Sequence, residues 1–339
     1  MQYFLFTVNE QSWQEHISTG IAAINDPGHD SKNRQGNAQK QKALCEVAHI
    51  NIGDLIFFYY QQEKRIMGLY EAVSNPFYDS TPLIEGGYID YKFPIRVAFR
   101  QIRNFENDLD MREVWYSKDK GTFWSIQQQR GDSIGRHACI SLTKKDGEHL
   151  LKMFYEKNPI IKNNININQK LYNNANLPFD FRCIGNKLHY EAVLQGRLLQ
   201  DFRVGKHKNI LGDYDYCVPF FPTSSQEEID ILLFKHDDTN VIWYEILELK
   251  QSTFTIEELN KLMRYEEWLI QSLSLNSRNV HSIAIAHEYN EDVKNYIRGR
   301  ISYGGKKIRL IKYSFDKSNQ SLVLEEESLW WNIRNLEIY

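Results

Sequence analysis

The sequence predicts two domains of different class, a small, mostly β domain followed by an α/β domain, so the chain as a whole is mixed α/β and α+β. Three observations predict this. A chain of 339 residues exceeds one ordinary hydrophobic core and suits two. Residues 158–176, NPIIKNNININQKLYNNAN, are polar and Asn-rich, hold no sustained helical or strand period, and read as a linker. The hydrophobic pattern also differs on the two sides of that stretch. The expected layout is therefore a domain over 1–157, a linker over 158–176 and a second domain over 177–339.

In the first domain, short apolar runs at residues 3–8, 55–60, 66–73 and 93–99 are mostly bounded by Gly, Pro, Asn or Asp, the pattern of strands. Gly53 and Asp54 make a tight turn into the second run, and the polar QQEKR turns it back onto the third, predicting a β-hairpin in a barrel-like sheet. Helical periodicity is sparser, chiefly at 11–19 and 146–155. The second domain alternates: helix 188–202, strands 229–234 and 241–249, helix 256–272, strand 280–286, helix 292–298 and strand 307–313. Such alternation predicts a sheet with helices on its faces. Gly304-Gly305 reads as a turn, and the acidic run 325–327 as a solvated face.

With 42% hydrophobic and 25% charged residues, the composition is that of a soluble globular protein. No apolar run approaches the roughly 18 residues that span a bilayer, and the first residues lack a signal-peptide pattern, so the expected location is cytoplasmic, with no membrane partner. Cys45, Cys139, Cys183 and Cys217 are scattered without a CxxC pair, which argues against a structural zinc site or a disulfide framework. A net charge of −3 argues against coating of nucleic acid by bulk electrostatics but leaves local basic surfaces open.

Chemistry concentrates in the second domain. Side chains alternate along a strand, so Glu248 and Lys250 project from one face while Leu247 and Leu249 project from the other. Asp230 is the second residue of the run IDILLF, among apolar neighbours where an unpaired charge is costly. If the two strands are hairpin neighbours, two carboxylates and an ammonium converge, a set suited to a hard divalent ion such as Mg²⁺ (or Mn²⁺), with the Leu249 carbonyl as a further oxygen. Glu191, spaced three and seven residues from Leu194 and Leu198, is expected on the apolar face of the helix 188–202, pressed towards the same sheet. An isolated ExK at a strand end is more simply a surface ion pair. Asp230 one strand earlier and Glu191 on the preceding helix favour phosphodiester hydrolysis instead.

Asp230 followed by Glu248-Leu249-Lys250, with a Glu-bearing helix before and an amphipathic helix after, resembles the PD-(D/E)xK nuclease superfamily. The run YEILELKQSTFTIEELNKLMRYEEWL resembles, more narrowly, archaeal-type single-strand and mismatch endonucleases; Arg264 and Tyr265 match the helix after the motif, while Lys261 stands where a glutamine is usual. The resemblance covers about residues 188–286 and implies a mixed-sheet nuclease fold with Asp230 and Glu248 as metal ligands, Lys250 as the catalytic lysine and Glu191 as an accessory carboxylate.

In the first domain, NIGDLIFFYY, IMGLYEAVSNPFYD and FPIRV resemble, in order and spacing, the EVE branch of the PUA and YTH-like superfamily. That resemblance covers about residues 1–157 and implies a PUA-like β-barrel with flanking helices and a pocket for a modified base flipped out of nucleic acid. Candidate aromatic walls are Trp13, Tyr59, Trp115 and Trp124, and candidate polar or phosphate contacts are Asn33, Arg34 and Arg136. Relatives often carry a tryptophan where Ala22 or Ala23 stands here.

Together these imply a modification-dependent DNA endonuclease whose partner is DNA carrying a modified base. Because one active site nicks one strand, a homodimer is one route to double-strand cleavage. A nuclease for mismatched, branched or single-stranded DNA and a non-catalytic binding protein with a decayed nuclease fold remain the alternatives.

Overall fold

The computed structural model describes residues 1–28, 34–119, 123–126, 137–160, 167, 176–223, 227–237, 240–273 and 276–329. It contains two compact units, Met1–Phe179 and Asp180–Tyr339. Most of the Asn-rich stretch, residues 161–166 and 168–175, lies outside the described residues.

The N-terminal unit runs β1 (Tyr3–Val8), α1 (Glu10–Thr19), β2 (Ile21–Ile24), α2 (Arg34–Val47), β3 (Leu55–Tyr60), β4 (Arg65–Ala72), β5 (Phe77–Tyr78), β6 (Ile95–Gln101), β7 (Leu109–Asp110), α3 (Met111–Asp119), β8 (Cys139–Leu142) and α4 (Lys144–Lys157). Its strands form one curled sheet in the order β2-β6-β4-β3-β1-β8, with β5 beside β6 and β7 beside β4. The expected hairpin is β3 with β4, Leu55 facing Glu71 and Tyr60 facing Arg65. The barrel-like sheet expected is a curled half-barrel: among the described residues, β2 and β8 are its ends and no pairing joins them.

β1 and β3 are adjacent, parallel and buried almost throughout, which is why YFLFTV, broken only by Thr7, and LIFFYY are apolar runs instead of alternating ones. A capping box between Asn9 and Ser12 starts α1, and Gly20 at φ +67° ends it. Gly147 lets α4 lie against β1, since a Cβ there would sit 2.1 Å from the Tyr3 ring. Helix α2 was not expected, because RQGNAQKQKALCEV carries a glycine and a polar first half that blur its apolar face.

The C-terminal unit runs β9 (Cys183–Ile184), β10 (Lys187–Leu188), α5 (Glu191–Arg203), α6 (Lys208–Leu211), β11 (Tyr216–Pro222), β12 (Glu228–Asp237), β13 (Asn240–Phe254), α7 (Ile256–Ser272), β14 (Val280–Tyr289), α8 (Glu291–Ser302), β15 (Arg309–Asp316) and β16 (Ser321–Glu326). The sheet order is sequential, β11 to β16, with parallel pairs β13-β14 and β14-β15 in the middle and antiparallel pairs outside them. The sheet is therefore mixed. Helices α7 and α8 are the crossovers that parallel neighbours require, and α5 and α7 pack on β13.

Two expectations change here. The helix begins at Glu191, not at residue 188, because Lys187–Leu188 pairs with Cys183–Ile184 across a turn at Gly185, φ +65°. Glu191 is thus the first helical residue instead of a member of an apolar stripe. Strand β11 was also not expected, its Pro219 and Pro222 arguing against a strand; it lies at the sheet edge, where a missing N–H is tolerated. All four cysteines are free, and among the described residues no helix is long and apolar enough to cross a membrane.

Glu245 of β13 is 4% exposed, its Oε2 has no hydrogen-bond partner among the described residues, and Arg309 Nη1 stands 3.6 Å from its Oε1. Burial pushes its carboxyl up to about 8 despite Arg309. The fold favours the neutral form, so this stability is complete below the ordinary carboxylate range and is lost as pH rises through about 8. Glu245→Gln should therefore leave the melting temperature unchanged near ~pH 4 and raise it by about 2–4 °C at ~pH 9. Calorimetric scans at both values check this, and an equal effect at both would refute the burial argument.

Candidate active site

The ladder between β12 and β13 ends where Ile231 faces Leu247. One residue further along β12, Asp230 takes over the pairing with its side chain: the Leu249 N–H donates to Asp230 Oδ2 at 2.7 Å. The backbone carbonyls released there find helical partners. Gln195 Nε2 of α5 donates to the Asp230 carbonyl at 2.8 Å, and the Tyr265 hydroxyl of α7 donates to the Glu228 carbonyl at 2.9 Å. Two helices thereby fix the end of β12 beside the ELK segment.

Glu248 is 3% exposed; its Oε1 accepts from Lys261 Nζ at 2.7 Å, and its Oε2 is buried with no hydrogen-bond partner among the described residues. Burial first, and then the charge of Asp230, hold the Glu248 carboxyl well above the usual carboxylate range. Asp230 is likewise pushed up to about 6, chiefly by burial and then by Glu191, against the pull of Lys261 and Lys250. Burial works to lower the Lys261 pKa, but Asp230 and Glu248 outweigh it and its net shift is upward. Its ammonium also lies 5.3 Å from the centroid of the Tyr265 ring.

Lys250 Nζ stands 3.3 Å from Glu191 Oε2 and 3.3 Å from Glu258 Oε1. Burial opposes its charge, the two carboxylates more than compensate, and the net shift is again upward. Glu191 reaches it from the first residue of α5, where the helix dipole favours a negative charge. Glu258 reaches it from the first turn of α7, with its other oxygen accepting from the Thr255 N–H and hydroxyl in a capping box.

The site thus gathers Asp230, Glu248, Glu191 and Glu258 with Lys250 and Lys261, four carboxylates against two ammonium groups. Two negative charges remain uncompensated if all four ionise. The unpartnered Oε2 of Glu248 and that surplus fit a divalent cation, with Asp230 and Glu248 as its holders. Among the described residues, no three His, Cys, Asp or Glu groups stand close enough to enclose a metal by themselves. Mg²⁺ commonly takes only one or two carboxylates and completes its shell with water and substrate oxygens.

Reading the sequence placed Asp230, Glu248, Lys250 and Glu191 together and left Glu258, Lys261 and Gln195 without roles. The Thr255-x-x-Glu258 pattern was a visible helix-start signal, but nothing in it says that the glutamate also serves a lysine. In the N-terminal unit, Trp13 is half-buried and packs edge-on against Phe58 at 5.3 Å and Tyr70 at 6.3 Å. Tyr59 is 1% exposed, within the core. Trp115 lies on α3 and Trp124 on a short segment whose N–H groups donate to the buried Asp146 carboxylate; both rings are half-buried. Arg34 opens α2, while Asn33 and Arg136 lie outside the described residues.

Comparison with known proteins adds to the N-terminal unit first. Residues 2–153 match the EVE domain family, which puts an EVE domain at the N-terminus, and the curled half-barrel is consistent with a PUA-like domain. A UPF0310 protein of Pyrococcus abyssi (strain GE5 / Orsay) is 27% identical over 111 residues, 30% of this chain and 68% of the relative. Among solved structures, a hypothetical protein from Leishmania major aligns with 46% of this chain and 96% of its own at 15% identity and a TM-score of 0.33. The YTH domain-containing protein Mmi1, solved with RNA, aligns with 46% of this chain and 82% of its own at 17% identity and a TM-score of 0.29. A repair endonuclease from Pyrococcus abyssi aligns with 28% of this chain and 39% of its own at 18% identity and a TM-score of 0.23.

The Tyr265 hydroxyl is a site anchor that a phenylalanine would keep in shape and lose in bonding. Tyr265→Phe should cost about 1 kcal/mol of stability, measured by urea unfolding. An unchanged midpoint would show that the hydroxyl does not hold β12.

Proposed function

We propose that this protein is a modification-dependent DNA endonuclease: the N-terminal EVE domain reads a modified base, and the C-terminal unit hydrolyses phosphodiesters. The observation that carries the hydrolytic half is the pair of half-buried Asp230 and buried Glu248, with an oxygen of Glu248 left unpartnered among the described residues and a charged lysine alongside. The reading half rests on the EVE match, with the half-buried Trp13, Trp115 and Trp124 as candidate walls; Tyr59, within the core, drops out.

In this reading Asp230 and Glu248 hold Mg²⁺ or Mn²⁺, which supplies Lewis acidity at the scissile phosphate. Asp230 is held by the Leu249 N–H at Oδ2, so its carboxylate is oriented before substrate arrives. Lys250 keeps its proton because Glu191 and Glu258 flank it, and it is placed to steady negative charge that develops on the phosphoryl group. Glu191, half-exposed at the start of α5, positions Lys250 and is the carboxylate nearest to solvent for receiving a proton.

Digestion of duplexes carrying methylated, hydroxymethylated, plain and mismatched cytosine tests the proposal. Modified DNA should be cut in Mg²⁺ or Mn²⁺ and spared in a chelator. Asp230→Ala, Glu248→Ala and Lys250→Ala should each slow cutting about 100-fold or more while retaining binding to modified DNA. Preferential cutting of mismatched DNA would move the reading to a structure-specific nuclease. Intact DNA in every lane would remove the catalytic claim.

A further inference from the structure

Resting on the assignment of Asp230 and Glu248 as cation holders, we infer that Lys261 is a built-in rival of the divalent ion: its ammonium stands in the cation's place and leaves Glu248 when the ion binds. Three observations lead there. Among the described residues, Lys261 is the one ion-pair partner of Glu248, its Nζ at 2.7 Å from Oε1, and it acts electrostatically on Asp230 as well. Its charge therefore lies on both groups that a metal would bridge. Lys250, by contrast, has Glu191 and Glu258 of its own and does not need the pair.

The second observation is freedom of movement. The Lys261 side chain is 31% exposed, against 3% for Glu248, so the ammonium can swing to water while the carboxylate stays fixed. Helix α7 itself need not move, because its capping box and the Tyr265 hydroxyl hold it independently of Lys261. The third is the orphaned Oε2: Lys261 satisfies one oxygen of Glu248 and leaves the other unpaired, a partial substitute for an ion that could engage both. An ammonium and a divalent ion within ~4 Å of each other repel strongly at the screening typical of proteins, so occupancy of the pair is exclusive. The lysine thus offsets part of the negative charge of the recess when metal is scarce, at the expense of metal affinity.

Titration calorimetry with Mn²⁺ in the absence of DNA tests this on the full chain. Lys261→Met removes the charge at similar length, and Lys261→Gln removes it while keeping a hydrogen-bond donor for Glu248, which protects against loss of folding. Both should bind Mn²⁺ about tenfold or more tightly than wild type. Lys261→Arg, which keeps the charge, should stay close to wild type. In thermal melts the two uncharged variants should gain more from Mn²⁺ than wild type gains. If wild type binds Mn²⁺ and the uncharged variants bind equally or more weakly, the rivalry is overturned and the cation site stands. If no form binds, both are overturned.

Discussion

Two carboxylates forced into one recess at the end of a strand pair repel each other, and the architecture of the C-terminal unit can be followed outward from that repulsion. Asp230 and Glu248 are neighbours because their strands are antiparallel partners up to Ile231 and Leu247. Burial raises the cost of charging either one, and the charge of Asp230 raises it further for Glu248. Every polar group around them acts on that cost: the Leu249 N–H on Asp230, Lys261 on Glu248, and Lys250 at the rim. A recess built this way favours a cation more than it favours folding. Filling the same space with apolar side chains would be the more stable solution.

Helices α5 and α7 do more than cover the sheet. Each contributes one carboxylate to Lys250 and one hydrogen bond to a β12 carbonyl, so a single displacement of either helix would disturb both the lysine and the strand end. The parallel crossover through α7 is what brings the residues after ELK back over the motif, setting Lys261 thirteen residues beyond Glu248 yet 2.7 Å from it. That coupling of topology to chemistry explains why Glu248, Lys250, Glu258, Lys261 and Tyr265 fall within one short run of sequence, while Asp230 and Glu191 come from earlier elements.

Long periodic elements were legible in the sequence: β1, β3, β13 and α7 follow from apolar runs or a clear amphipathic stripe. Edge strands and polar helices were not. β11 hides behind two prolines that only an edge position tolerates, and α2 behind a glycine and a glutamine-rich surface. In the site, alternation along β13 was enough to put Glu248 and Lys250 together, and burial logic was enough to bring in Asp230. Glu191 was placed in the right neighbourhood for a mistaken reason, since the short β9–β10 hairpin, invisible to periodicity, moves the helix start onto it. Lys261 could be seen as a departure from a pattern, but only distances reveal that it is paired with Glu248.

The reading of the two halves as specificity and cutting depends on the cation. The most direct measurement is anomalous diffraction from crystals soaked in Mn²⁺. The account predicts a peak beside the Asp230 and Glu248 carboxylates, at the oxygen distances expected of a hard divalent ion. A fully soaked crystal with no peak there, or with one only at surface carboxylates, would contradict it.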